Sequence, residues 1–154
     1  DTGRVSRLAH EATNEQQENA DLTTSKKLPR GTAAEIISME ALKKSHRHGE
    51  DRHRSEFCSL FIVENPDIFD ILVNDPPQEL KRPDIRLTVD NPSDLVLARN
   101  IWDKLATDQN DIIGLREIIS LLDDTPELME INSHLPDGTN DELAEVRPFM
   151  YGDC

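Results

Sequence analysis

The chain has 154 residues, 31 acidic against 17 basic, for a formal net charge of −14 and a pI near 4.6. That length supports one modest domain with a real core. So acidic a surface repels nucleic acid and anionic membranes, and neither is expected as a partner. Two cysteines, Cys58 and Cys154, make no disulfide framework, and no run approaches a membrane span or a signal peptide. A reducing cytoplasm is the expected compartment.

In chain order, residues 2–12 have helical spacing, with Val5, Leu8, Ala9 and Ala12 on one side. Residues 14–19 form a polar connector, and residues 20–24 lean toward strand. Pro29-Arg30-Gly31 then reads as a shaped loop, because Pro fixes the backbone where Gly frees it. A strand over 33–37 follows. Ser38 caps a helix from Met39 to about His46. His46, His48 and His53 lie among charged residues without a well-placed fourth ligand, so the spacing favours a solvated loop over a zinc site. Residues 54–64 read as one helix, with Phe57, Leu60, Phe61 and Glu64 in phase. Cys58 is expected there as a small buried apolar residue. Residues 69–73 form a strand, and Asn74 to Pro77 turn the chain.

The stretch Arg82-Pro83-Asp84-Ile85-Arg86-Leu87-Thr88-Val89-Asp90-Asn91-Pro92-Ser93-Asp94-Leu95 organises the rest. Ile85, Leu87 and Val89 alternate with Arg86, Thr88 and Asp90, which predicts a half-buried strand. Asn91 is placed to cap a helix, Pro92 suits its first position, and Asp94 falls near the positive end of its dipole. Ala98, Ile101, Trp102 and Leu105 would form its core face. Asp90 thus stands at the carboxyl end of a strand just before a helix, where ligands bind in open α/β sheets. A carboxylate there can hold magnesium, and a guanidinium such as Arg86 can meet an anion. The plainer alternative is that Asp90 only assists the cap and Arg86 is a solvated edge charge. Beyond a polar break at 106–111, Leu115, Ile118, Ile119 and Leu122 mark a second amphipathic helix. Thr125-Pro126 starts a short third one, and 135–154 is an acidic tail. The strand–helix alternation points to an α/β layer fold.

This stretch resembles the "RRPDLRLTVDTPEDL" signature of the spore-coat polysaccharide type of cytidylyltransferase, a relative of the acylneuraminate and CMP-Kdo synthetases. Three other stretches are similar in the same order. Leu28 to Leu42 resembles "FPRGLDVEVFSFEAL", and Arg54 to Ile62 with Asn65-Pro66 resembles "EREHVTPYI…NP". Leu121 to His134 is similar to "ELLDENPELLEINSH". The resemblance covers Asn19 to Leu105 well and the ends weakly.

It implies the carboxyl-terminal half of a Rossmann-like, three-layer nucleotidyltransferase fold with extra carboxyl-terminal helices. Residues 1–105 would be the transferase portion, 106–134 a helical extension and 135–154 the tail. It implies transfer of CMP from CTP to a sugar or sugar acid, with Mg2+ held partly by Asp90 as the catalytic metal ligand. Arg30 and Arg86 would be anion contacts and Glu35 and Glu56 sugar contacts, in a protein that is commonly a homodimer. From the residues alone, Arg30 pairing with a surface acid and Glu35 as a plain exposed residue stay open. Two departures matter. Phe57-Cys58-Ser59 stands where relatives carry His-Val-Thr, and no Gly-rich loop of the "RLPGK" type occurs. The same residues therefore also admit a degenerate, non-catalytic binding module of this fold.

Overall fold

The computed structural model describes residues 20–54, 57–108 and 112–135. It is a mixed α/β chain. The elements are β1 (Leu22–Ser25), β2 (Ile36–Ile37), α1 (Met39–His48), α2 (Leu60–Glu64), β3 (Ile71–Asn74), α3 (Pro92–Leu105), α4 (Leu115–Asp124) and α5 (Glu127–Glu130). Short 3-10 turns lie at Asp51–Arg54 and Gln78–Leu80. No described helix is long and apolar enough to cross a membrane. The chain divides into two compact units: one holds Glu35–Asn74 and the chain up to Thr24, the other Ser25–Ala34 and the chain from Asp75 onward.

The first unit is built on a three-stranded sheet in the order β2-β1-β3, with β1 antiparallel to β2 through Leu22↔Ile37 and Thr23↔Ile36. Asp21 ties the sheet to the elements around it. Its carbonyl accepts from Ser38 N at 2.9 Å, and its carboxylate accepts from Asp70 N at 3.1 Å. Ser38 caps α1 as expected, its hydroxyl accepting from Ala41 N at 3.0 Å. The core is Leu22, Ala41, Leu60, Ile62, Val63 and Phe69.

Several expectations for this unit are corrected. The strand expected over 33–37 forms only at Ile36–Ile37. The helix expected over 54–64 is not continuous: a 3-10 turn ends at Arg54, and α2 begins at Leu60. Cys58 is exposed, not buried. His53 is a packing residue. Its Nδ1 accepts from Glu50 N at 2.7 Å, so Nε2 carries the proton and donates to Glu64 at 2.8 Å. Its ring meets Phe61 edge-on at 5.1 Å, and Phe61 meets Phe69 at 5.9 Å. Among the described residues no group of three or more His, Cys, Asp or Glu side chains is placed to hold a metal.

The second unit buries Ile85, Leu97, Ile101, Ile119, Leu122 and Leu128, with Leu80, Leu87, Leu105, Leu115 and Ile118 packed around them. Here α3, α4 and α5 close on each other. The expected start of α5 is present, with Leu128 N bonded to Thr125 O and Met129 N to Pro126 O at 3.0 Å each. On α3, Leu97 and the expected Ile101 are the buried apolar residues, whereas Trp102 is 41% exposed and does not join the core.

The expected strand over 85–89 is also corrected. Among the described residues it is an extended segment that pairs at a single parallel bridge, Arg30↔Arg86. Arg30 N donates to Ile85 O at 2.9 Å, and Leu87 N donates to Arg30 O at 2.8 Å. Ile85 is buried but Val89 is 55% exposed, so the apolar alternation fades where the pairing ends. Gly31 makes this bridge feasible. Its φ is +88°, and a Cβ there would lie 2.8 Å from Thr88 N and 2.9 Å from Thr88 Cγ2. Gly31→Ala is therefore expected to cost about 2–3 kcal/mol through left-handed strain and overlap. Trp102, the single tryptophan, reports it as a lowered urea midpoint of emission; an unchanged midpoint would show that the two segments separate freely.

Candidate functional site

The site grows from the start of α3. Asn91 is the N-cap and Pro92 the first helical residue, as the sequence implies. Asp94, at the third helical position, reaches back so that its Oδ2 accepts from Asn91 N at 3.0 Å and Asp90 N at 3.1 Å. Arg86 arrives from the extended segment, its backbone held in register by Arg30. The Arg86 guanidinium grips Asp94 in a fork, Nε to Oδ1 at 2.9 Å and Nη2 to Oδ2 at 3.0 Å. The same Nη2 donates to Asp90 Oδ2 at 3.1 Å. Asn132, just past α5, closes the cluster by donating through Nδ2 to Asp94 Oδ1 at 2.9 Å and to Arg86 O at 3.2 Å.

Burial separates the two aspartates. The Asp94 side chain is fully buried, Arg86 is 12% exposed and Asp90 is 67% exposed. The Arg86 hydrogen bonds hold the Asp94 carboxyl well below the usual carboxylate range. Desolvation opposes this, and the Asn132, Asp90 and Asn91 donors reinforce it. Reciprocally, the Asp94 hydrogen bonds raise Arg86 above its ordinary value. Asp94 is thus a permanent anion already surrounded by donors, whereas Asp90 is an exposed carboxylate held along one edge.

The expected site residues fare unequally. Asp90 and Arg86 are brought into direct contact. Arg86 turns Nε and Nη2 toward the chain's own acids, which makes it a positioning group for Asp90. Arg30 lies in the same unit, half-buried, with its backbone bonded around Arg86. Glu35 is exposed in the connector before β2, in the other unit. Glu56 lies outside the described residues. Sequence reasoning missed Asp94 as the buried partner of Arg86 and missed Asn132 altogether. For Asp94 the signal was its spacing three residues after Asn91; Asn132 carries no local signal.

Two outcomes check this arrangement. Arg86→Met leaves a buried, uncompensated carboxylate and is expected to cost about 3–5 kcal/mol. Arg86→Met with Asp94→Leu should recover part of that loss. Equal losses in the single and double variants would show the pair to be uncoupled. The second outcome concerns pH. Asp94 is depressed in the folded state, so its stabilisation is complete above the ordinary value near 3.8 and fades as pH falls toward the folded value. The urea midpoint of the unaltered chain should drop more between pH 5 and pH 3 than that of Asp94→Asn; parallel slopes would overturn the assignment.

No family model matches this chain, and no solved structure matches it. Among curated proteins it is similar to "Uncharacterized protein MJ1063" of Methanocaldococcus jannaschii, 31% identical over 127 residues. The aligned stretch is 82% of this chain and 51% of that protein, so the chain spans about half the length of the curated relative it matches.

Proposed function

We propose that this chain is the carboxyl-terminal portion of a Rossmann-like cytidylyltransferase that moves CMP from CTP to a sugar or sugar acid in the cytoplasm, for surface polysaccharide or glycoconjugate synthesis. One observation carries the reading. Asp90 offers an exposed carboxylate at the entrance to α3, fixed by Arg86, while the neighbouring Asp94 is buried and engaged. The signature from Arg82 to Leu95 supplies the reaction class.

Asp90 fits magnesium as a shared site rather than as a cage. It is one exposed carboxylate, with no cluster of further ligands among the described residues. Magnesium is commonly bound through one or two carboxylates, with substrate phosphates and waters completing its octahedron. When bound, it would neutralise charge developing on the phosphates. The chain's own residues do the positioning. Arg86 holds Asp90 by one oxygen, and Asp94 and Asn132 hold Arg86. Arg30 remains a candidate anion contact, and Glu35 and Glu56 remain candidate contacts for sugar hydroxyls. In the reaction, the acceptor hydroxyl attacks the α-phosphorus of CTP, the bond to the β-phosphate oxygen breaks, and pyrophosphate leaves. A homodimer would suit this reading.

The test is CTP-dependent pyrophosphate release by the longest polypeptide encoding this chain, supplied with sugar and sugar-acid acceptors. Asp90→Asn should lower kcat by about 100-fold or more, a loss of about 3 kcal/mol of transition-state stabilisation. Release at full rate by the variant would remove the metal role. No release together with no CTP binding by calorimetry would favour the non-catalytic module, a reading that the Phe57-Cys58-Ser59 departure supports.

A further inference from the structure

In the first unit, helix α1 has two faces of different character. Its inward face is small, with Ala41 and Ser45 buried. Lys44 is a packing residue: its Nζ donates to Ile68 O at 2.7 Å and lies 4.6 Å from the centre of the Phe69 ring. The outward face carries Met39, Leu42, Lys43 and His46 at positions i, i+3, i+4 and i+7, one stripe of two turns and roughly 10 Å. With Arg47 they line a shallow groove of about 320 Å³. Met39 is 62% exposed and Leu42 38%. Among the described residues no acid pairs with Lys43, His46 or Arg47; Arg47 Nε donates instead to Lys43 O at 3.2 Å. Elsewhere in this unit cations do meet acids, Arg52 at Glu64 and Arg54 at Asp51. Nor does the end of α1 require the unpaired ones. Gly49 N donates to Ser45 O at 2.7 Å, and Arg54 Nη2 donates to His46 O at 3.3 Å and Gly49 O at 3.1 Å.

We propose that this face docks an acidic amphipathic helix of a partner protein, whose apolar stripe covers Met39 and Leu42 while its carboxylates meet Lys43 and Arg47. Charge selects the occupant. Acids outnumber bases 31 to 17 in this chain, yet the stripe presents cations that its own acids leave unmatched. Screening confines their field to about 8 Å at physiological salt, so a short acidic helix feels them more than the distant acids. An anionic membrane is broad and would meet those acids as well. A second copy packed through the same stripe brings no carboxylate of that stripe to these cations. The spacing suits a helix, because an apolar row two turns long with charges beside it is the complement of another amphipathic helix. The surface is separate from Asp90 and stands whether or not the chain takes part in CMP transfer.

The probe is a labelled peptide of about three heptads with Leu at a and d, Glu at e and g and Ala elsewhere, titrated with the full chain and read by anisotropy. It should bind saturably, and the same peptide with Lys for Glu should not. Raising salt from about 0.05 to 0.5 M should weaken binding roughly 10-fold. Lys43→Glu with Arg47→Glu should weaken it about 10-fold or more, and Leu42→Ser about 3- to 10-fold. Arg99→Glu with Lys104→Glu, an equal charge change on α3, should leave it unaltered. The proposal is overturned if the two peptides bind alike, if the α3 and α1 charge reversals act equally, or if Leu42→Ser has no effect. It is also overturned if phosphatidylglycerol vesicles bind the chain through Lys43 and Arg47, or if sedimentation shows self-association that Leu42→Ser abolishes, since these give the face to a membrane or a second copy. Binding that requires removal of residues 1–19 overturns it too, because the chain then covers its own face. Should the α1 charge variant lose its cooperative urea transition, the two-peptide comparison and the salt dependence on the unaltered chain decide.

Discussion

The second unit depends on one buried ion pair. Arg86 comes from an extended segment and Asp94 from the first turn of a helix, and their fork joins the two. A buried pair of this kind is weak as a source of net stability, because the desolvation of both charges opposes their attraction. Its value lies in what it excludes. Any slip of the segment along α3 would strand a carboxylate and a guanidinium in a low-dielectric interior, and the penalty for that is several times the cost of losing an exposed contact. The pair therefore fixes register, a task that strand pairing performs elsewhere. The single bridge from Arg30 supplies the backbone half of the same restraint.

Around this pair, the choice of residue types follows from counting donors and acceptors. An ionised carboxylate only accepts, so every neighbour of Asp94 must donate. Two backbone N–H groups at the helix entrance do so, Arg86 does so twice, and the side-chain amides of Asn91 and Asn132 add one each. An aspartate at 132 would place two carboxylates in hydrogen-bond contact with no proton to share. A leucine would leave the Arg86 carbonyl and one Asp94 oxygen without that donor. The chain just past α5 is thus tied to the start of α3 by polar matching as well as by the burial of Leu128 against Leu97 and Ile101.

Much of this was legible from local pattern and some was not. Helix entrances were read correctly because their chemistry is local: Ser38 before α1, Asn91-Pro92 before α3 and Thr125-Pro126 before α5 each act within a few residues. The spacing of Leu115, Ile118, Ile119 and Leu122 likewise gave α4. Strand 85–89 failed because alternation states which side chains can face a core, not whether a neighbouring strand is present to pair. Trp102 failed for a related reason: the buried face of α3 runs through Leu97 and Ile101, and Trp102 lies to its side. Arg86 was expected to meet an external anion, and the buried anion it meets sits eight residues along the same chain. The role of Asn132 depends on a contact across 38 positions, which a single sequence does not reveal.

The contrast between Asp90 and Asp94 shows how one guanidinium gives two carboxylates different chemistry. Both lie within hydrogen-bond reach of Arg86 Nη2. Asp94 faces inward, loses water, and regains every interaction from fixed donors, so it is an anion with no capacity left for a ligand. Asp90 faces outward and keeps an oxygen clear of the Arg86 contact, available to solvent or to a cation. A single buried aspartate would have been sealed, and a single exposed one would have been free to wander among rotamers. Setting the sealed one beneath the exposed one lets the first orient the guanidinium and the guanidinium orient the second. The exposed carboxylate is thereby aimed without being buried, which is the condition a hard cation needs from a ligand that shares it with water and phosphate.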